Sequence, residues 1–124
     1  MRSAYLHVLA DALTSILADV PVHVIPCIER RLEGVPLVAS ASAWASIIPA
    51  AWSFLLALRS RGLGSVWTTL HLAKADEVAE LLGIPDTVTQ VALFPVAYTI
   101  GTDFKPAVRP PVDTITSWNT WGDR

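Results

Sequence analysis

A chain of 124 residues, 52% hydrophobic and 16% charged, is sized for one globular domain or a piece of one, and is apolar for a free-standing soluble protein. With a mean hydropathy of +0.47, either the chain sits in a membrane or much of its apolar surface is covered by a partner. The formal net charge of −2 excludes the basic stripe that nucleic-acid binding needs, and a single cysteine excludes an internal disulfide and any cysteine-based metal site.

Residues 4–17 place Leu6, Leu9, Ala10, Leu13, Ile16 and Leu17 at 3.6-residue spacing, which predicts a helix. Residues 20–28 are β-branched and almost wholly apolar, a short buried strand with Pro21 at its start and Pro26 near its end. Cys27 is flanked there by Ile25, Pro26 and Ile28, so it reads as a small buried thiol. A reducing cytoplasmic location agrees with that.

Residues 29–37 form a charged turn with Gly34 and Pro36. A long helix follows over residues 42–61, bent or begun afresh at Pro49, with Gly62 as its left-handed stop and Arg59 and Arg61 complementing its C-terminal dipole. Gly64 allows close backbone passage into a strand over residues 65–69. Residues 74–82 make an amphipathic helix, with Val78, Leu81 and Leu82 inward and Gly83 as its stop. A turn at Ile84-Pro85-Asp86 leads into a mostly apolar strand over residues 88–98. Helices alternating with apolar strands indicate an α/β or α+β layer architecture. From residue 99 the chain becomes an extended arm with Pro106, Pro110 and Pro111, ending in Ile115, Trp118 and Trp121. Such an arm is expected to pack on another surface, a second subunit for example.

The stretch 34–58 carries no charge and could span a bilayer by length, but Pro36, Pro49 and four serines dilute it, and arginines at both ends give no orientation bias. His7, His23 and His71 fall in different elements without ligand spacing, and no Gly-x-Ser-x-Gly elbow is present. Gly62-Leu63-Gly64 runs from helix to strand, the reverse of a dinucleotide fingerprint. Trp67, Thr68, Thr69 and His71 read either as an ordinary strand end or as a wall for a flat polar ligand. Arg109, bracketed by prolines, is either a surface arginine or a phosphate contact.

Ile48-Pro49-Ala50-Ala51, Leu55-Leu56-Ala57-Leu58-Arg59 and Gly62 through Thr69 together resemble the central helix and following strand of the FMN-dependent nitroreductase family. Leu81-Leu82-Gly83-Ile84-Pro85, the run Val91 to Tyr98, and Arg109-Pro110-Pro111-Val112 followed by Ser117-Trp118-Asn119 are similar to that family's later helix, last core strand and C-terminal arm. The resemblance implies an α+β three-layer fold with a central mixed sheet, residues 1–98 forming the core and 99–124 the arm of a partial domain. It implies an intertwined homodimer with FMN at the subunit interface, and hydride transfer from NADH or NADPH to nitroaromatics, quinones or related acceptors. By position, Trp67, Thr68, Thr69 and Leu70 would line the isoalloxazine, largely through main-chain groups, and Arg109 with Lys105 would meet the phosphate.

The chain departs from that pattern in two places. No Arg-x-Ser-x-Arg segment opens it, so an N-terminal part of the domain is expected to be missing; Trp52-Ser53 stands where a Gln-Asn pair is usual. Both departures imply impaired flavin binding. The alternatives are a non-catalytic α/β assembly protein and a small membrane-anchored protein.

Overall fold

A computed structural model describes residues 19–101 and 103–123; the helix expected over 4–17 lies outside them. In chain order come strand β1 (Val22–Val24), strand β2 (Cys27–Ile28), helix α1 (Leu37–Arg59), strand β3 (Leu63–Ser65), a 3₁₀ turn (Leu70–Lys74), helix α2 (Ala75–Leu82), strand β4 (Thr89–Gln90), strand β5 (Phe94–Tyr98) and a second 3₁₀ turn (Val112–Thr114).

The proline-bounded run 20–28 does not make one strand. Pro26 separates β1 from β2, and the two halves join different sheets. A proline cannot donate to a ladder, so the chain changes partner there. The run 88–98 also divides, into β4 and β5, here without a proline between the two strands. One three-stranded sheet has the order β1-β5-β3, and one two-stranded sheet pairs β2 with β4. Every described strand pairing is antiparallel. Register places Val24 opposite Phe94 and Gly64 opposite Ala97. Pro95 is accommodated within β5 opposite His23.

Helix α1 starts five residues earlier than its apolar pattern suggests, directly after Pro36, whose carbonyl accepts from Ala39 and Ser40 N–H. The serines that dilute its hydrophobicity do not weaken it. Ser40 and Ser42 return their hydroxyls to Leu37 O and Val38 O, at 3.0 and 2.9 Å. Pro49 lies inside the helix without dividing it. Pro49 and Ala45 are both exposed, so the Ala45 carbonyl that loses its i+4 donor can face water.

The core lies where α1 crosses β5. Phe94 is fully buried, stacked on Phe54 at 6.2 Å and tilted against Trp67 at 5.0 Å between ring centroids. Ala51, Val91, Ala92 and Val96 complete its buried part. Gly64 is the close approach between β3 and the chain after β5: a Cβ there would run into Thr99 Cγ2. Gly62 and Gly83 follow α1 and α2 with φ of +75° and +66°. Leu81 and Leu82, expected inward, are exposed, because α2 meets the rest mainly through the 3₁₀ turn beside it. Cys27 is likewise exposed rather than buried, since a two-residue strand with one partner cannot enclose it. Among the described residues the arm after β5 has no strand and one 3₁₀ turn, and Ile115, Trp118 and Trp121 are exposed.

Candidate functional site

The segment Trp67–Leu70 is positioned from below by a single residue pair. Thr68 N–H donates to Leu93 O at 3.1 Å, and Leu93 N–H donates back to Thr68 O at 2.8 Å. The Thr68 hydroxyl adds a third bond to Leu93 O at 2.9 Å. All of Thr68's polar groups are thereby committed to the neighbouring chain. Trp67 is also occupied, its ring lying on Phe94. These two residues anchor the segment, so a ligand would meet them only along the backbone edge.

The next three residues are different. Thr69 is exposed, and beyond its carbonyl, which accepts from Leu72 N–H at 3.0 Å, its N–H and hydroxyl have no partner among the described residues. Leu70 is 66% exposed. His71 follows with both ring nitrogens buried and without a partner among the described residues. Burial holds its pKa below the usual 6.5, so at neutral pH the imidazole is uncharged, with one donor and one acceptor. A buried polar atom without a partner costs about 1–3 kcal/mol, which applies to the His71 ring nitrogens; the Thr69 N–H and hydroxyl are exposed and open to water or a ligand. His71 was visible in the sequence as a polar residue at a strand end; its isolation was not.

Arg109 and Lys105 make no direct bond to this segment among the described residues: both are exposed on the arm, and no hydrogen bond, ion pair or ring contact joins them to Trp67–Leu70. The arm is held at its base instead, where the Arg59 guanidinium lies 4.6 Å from the Phe104 ring centroid. Its far end closes on itself, with Trp118 N–H donating to Asp123 O at 2.7 Å and Gly122 N–H to Ser117 Oγ at 3.1 Å. Among the described residues no group of three or more His, Cys, Asp or Glu could hold a metal ion.

The Nitroreductase family profile matches residues 5–98. The chain belongs to the nitroreductase family. A crystal structure from Parabacteroides distasonis, of a protein described as an NADH dehydrogenase/NAD(P)H nitroreductase, superposes with a TM-score of 0.55 at 21% identity. The match covers 90% of this chain and 84% of that one, and at this identity it shows the shared fold alone. No curated protein matches the sequence. The nitroreductase-like α+β fold read from the sequence is the fold observed, and the chain is a nitroreductase-like oxidoreductase by family. The family is generally flavin-dependent with NAD(P)H donors, and its members are commonly homodimers.

Proposed function

We propose that this chain is an FMN oxidoreductase that works as a homodimer, takes hydride from NADH or NADPH, and reduces nitroaromatics, quinones or similar acceptors. The observation that carries the reading is the exposed polar edge at Thr69, next to the unpartnered His71 imidazole and held in place by the Thr68–Leu93 pair. The edge of an isoalloxazine carries alternating N–H, N and C=O groups, which suit a row of free N–H, hydroxyl and imidazole partners. When bound, the flavin supplies the hydride-accepting and hydride-donating chemistry. This chain's residues then have simpler tasks. The Thr68–Leu93 pair fixes the segment, Trp67 stiffens it from the core side, and the Thr69 N–H and hydroxyl orient the ring. Leu70 keeps water from the adjoining face. Arg109, with Lys105 nearby on the arm, neutralises the phosphate.

On this reading two chains build each site, the arm of one serving the edge of the other. Exposed apolar side chains on α1 and the arm, Trp52, Leu56, Trp118 and Trp121 among them, support assembly. Purified protein should be yellow with flavin released on denaturation, and dimeric by light scattering. Arg109→Ala should weaken FMN binding by about 1.5–3 kcal/mol, the scale of a charge-assisted contact. A colourless protein that takes up no added FMN would defeat the reading, and an unchanged FMN Kd would remove Arg109 from it.

One observation favours a second reading. Helix α1 has 23 residues, a mean hydropathy of 1.6 and only 17% of its apolar window buried, so length and composition suffice to cross a membrane. Extraction only by detergent would select that reading over the dimer.

A further inference from the structure

Strand β5 ends at Tyr98, and the chain that follows passes the C-terminal end of α1, where Arg59 stands. The Thr99 hydroxyl donates to Gly101 O at 3.0 Å. Beyond that turn, residues 103–115 are all exposed. Among the described residues, none from 103 to 110 makes a hydrogen bond or an ion pair. Their one directional contact is the Arg59 guanidinium, 4.6 Å from the Phe104 ring centroid. Packing does not replace it. A cavity of about 310 Å³, lined by Leu63, Ser65 and Thr99 together with Arg59 and Phe104, opens at the base of the arm.

The stretch beyond Phe104 is stiff. Pro106, Pro110 and Pro111 fix their own φ, and Lys105 and Arg109, each preceding a proline, are held to extended backbone. Pro111 has φ −53° and ψ 139°, close to the polyproline conformation. At about 3.1 Å per residue, Arg109 stands roughly 15 Å along the arm from Phe104. A stiff segment held at one point swings about that point, so the direction set at Phe104 decides where Arg109 arrives.

We infer that Arg59 and Phe104 are positioning residues: their contact aims the proline-stiffened arm so that Arg109 reaches the FMN phosphate in the partner chain. The phosphate role rests on the proposed function; the aiming of the arm rests on the Arg59–Phe104 contact alone. A cation over an aromatic face is directional but weak at an exposed site, so it selects one arm direction without locking it. The ring face does the holding. Tyrosine can therefore stand in for Phe104, and an aliphatic side chain of similar bulk cannot.

The test uses full-length protein and two readouts. Spin labels on Cys27, which is exposed on β2, and on Ala107→Cys report the spread of arm positions by pulsed dipolar resonance, with no flavin present. Dilution with unlabelled protein keeps the distances within one chain. Phe104→Leu should broaden the distance distribution, and Phe104→Tyr should keep its original width. FMN affinity should fall about two- to fivefold in Phe104→Leu, the scale of one exposed cation–π contact, and be retained in Phe104→Tyr. Arg59 makes a further interaction, so Arg59→Met is read in a double-mutant cycle, where it should cost less affinity once Phe104 is leucine. An unchanged distribution or FMN Kd in Phe104→Leu, strict additivity in the cycle, or a tyrosine variant as impaired as the leucine one would each overturn the inference. A parent protein that binds no FMN defeats the proposed function and the phosphate role of the arm with it, while the label distances still decide whether the contact aims the arm.

Discussion

On one side of α1, Trp44, Ile47, Ala51, Leu55 and Leu58 repeat at helical spacing and pack toward β5, with Ala43 buried on the same side. On the other, Val38, Ile48, Trp52 and Leu56 repeat at the same spacing and are exposed. The two faces share residue types, so an apolar pattern alone marks neither as the inner one. What separates them is size at the contact. The buried face carries alanine at Ala43 and Ala51, and at Ala51 the helix joins the cluster built around Phe94. The outer face carries Trp52 and the proline, which suits a surface that something other than this sheet covers.

The sharpest test of that difference is truncation on each side. Phe94→Ala should destabilise the fold by about 3–5 kcal/mol in denaturant unfolding. Trp52→Ala should change monomer stability by no more than about 0.5 kcal/mol and act instead on the concentration dependence of assembly. Equal losses would mean that both faces are core. Enlarging the helix should break the symmetry in the opposite direction. Ala51→Leu should cost about 1–3 kcal/mol by overpacking against β5, whereas Ala45→Leu, on the exposed side, should leave the unfolding midpoint nearly unchanged.

Smaller effects compare Thr68 with His71, one satisfied and the other not. Thr68→Val removes the hydroxyl bond to Leu93 O and should cost about 0.5–1.5 kcal/mol. His71 should show itself through pH. Its folded pKa is lowered by burial, so as pH falls below the usual 6.5 the unfolded chain takes up a proton that the folded chain refuses. Stability is therefore full above that value and declines as pH drops toward the folded pKa. His71→Gln should flatten that part of the stability–pH curve; an identical slope in the variant would assign the dependence to other groups.

Local chemistry made much of this protein legible in advance. Gly62 and Gly83 mark the ends of their helices because only a residue without Cβ enters the left-handed region freely, and the rule needs no distant partner. The ordered motifs from Ile48 to Trp118 were enough to indicate the family, since each carries its own turn, cap or apolar run. The segment Trp67–Leu70 was likewise identifiable as the candidate edge.

Pairing and exposure required the tertiary structure. Residues 20–28 and 88–98 each look continuous, yet each is divided between two sheets, because a strand's partner is set by long-range register and not by its own propensity. Within Trp67–His71 every residue could have faced a ligand. Only the fold commits Trp67 to Phe94 and Thr68 to Leu93, leaves Thr69 exposed, and buries the His71 ring nitrogens without a partner among the described residues. The fold alone brings Gln90 Nε2 to Ala75 O and leaves its Oε1 buried without a partner among the described residues. Composition and spacing determine which groups a chain possesses. Which of them remain free depends on contacts between residues far apart in sequence, and those exist only once the chain has folded.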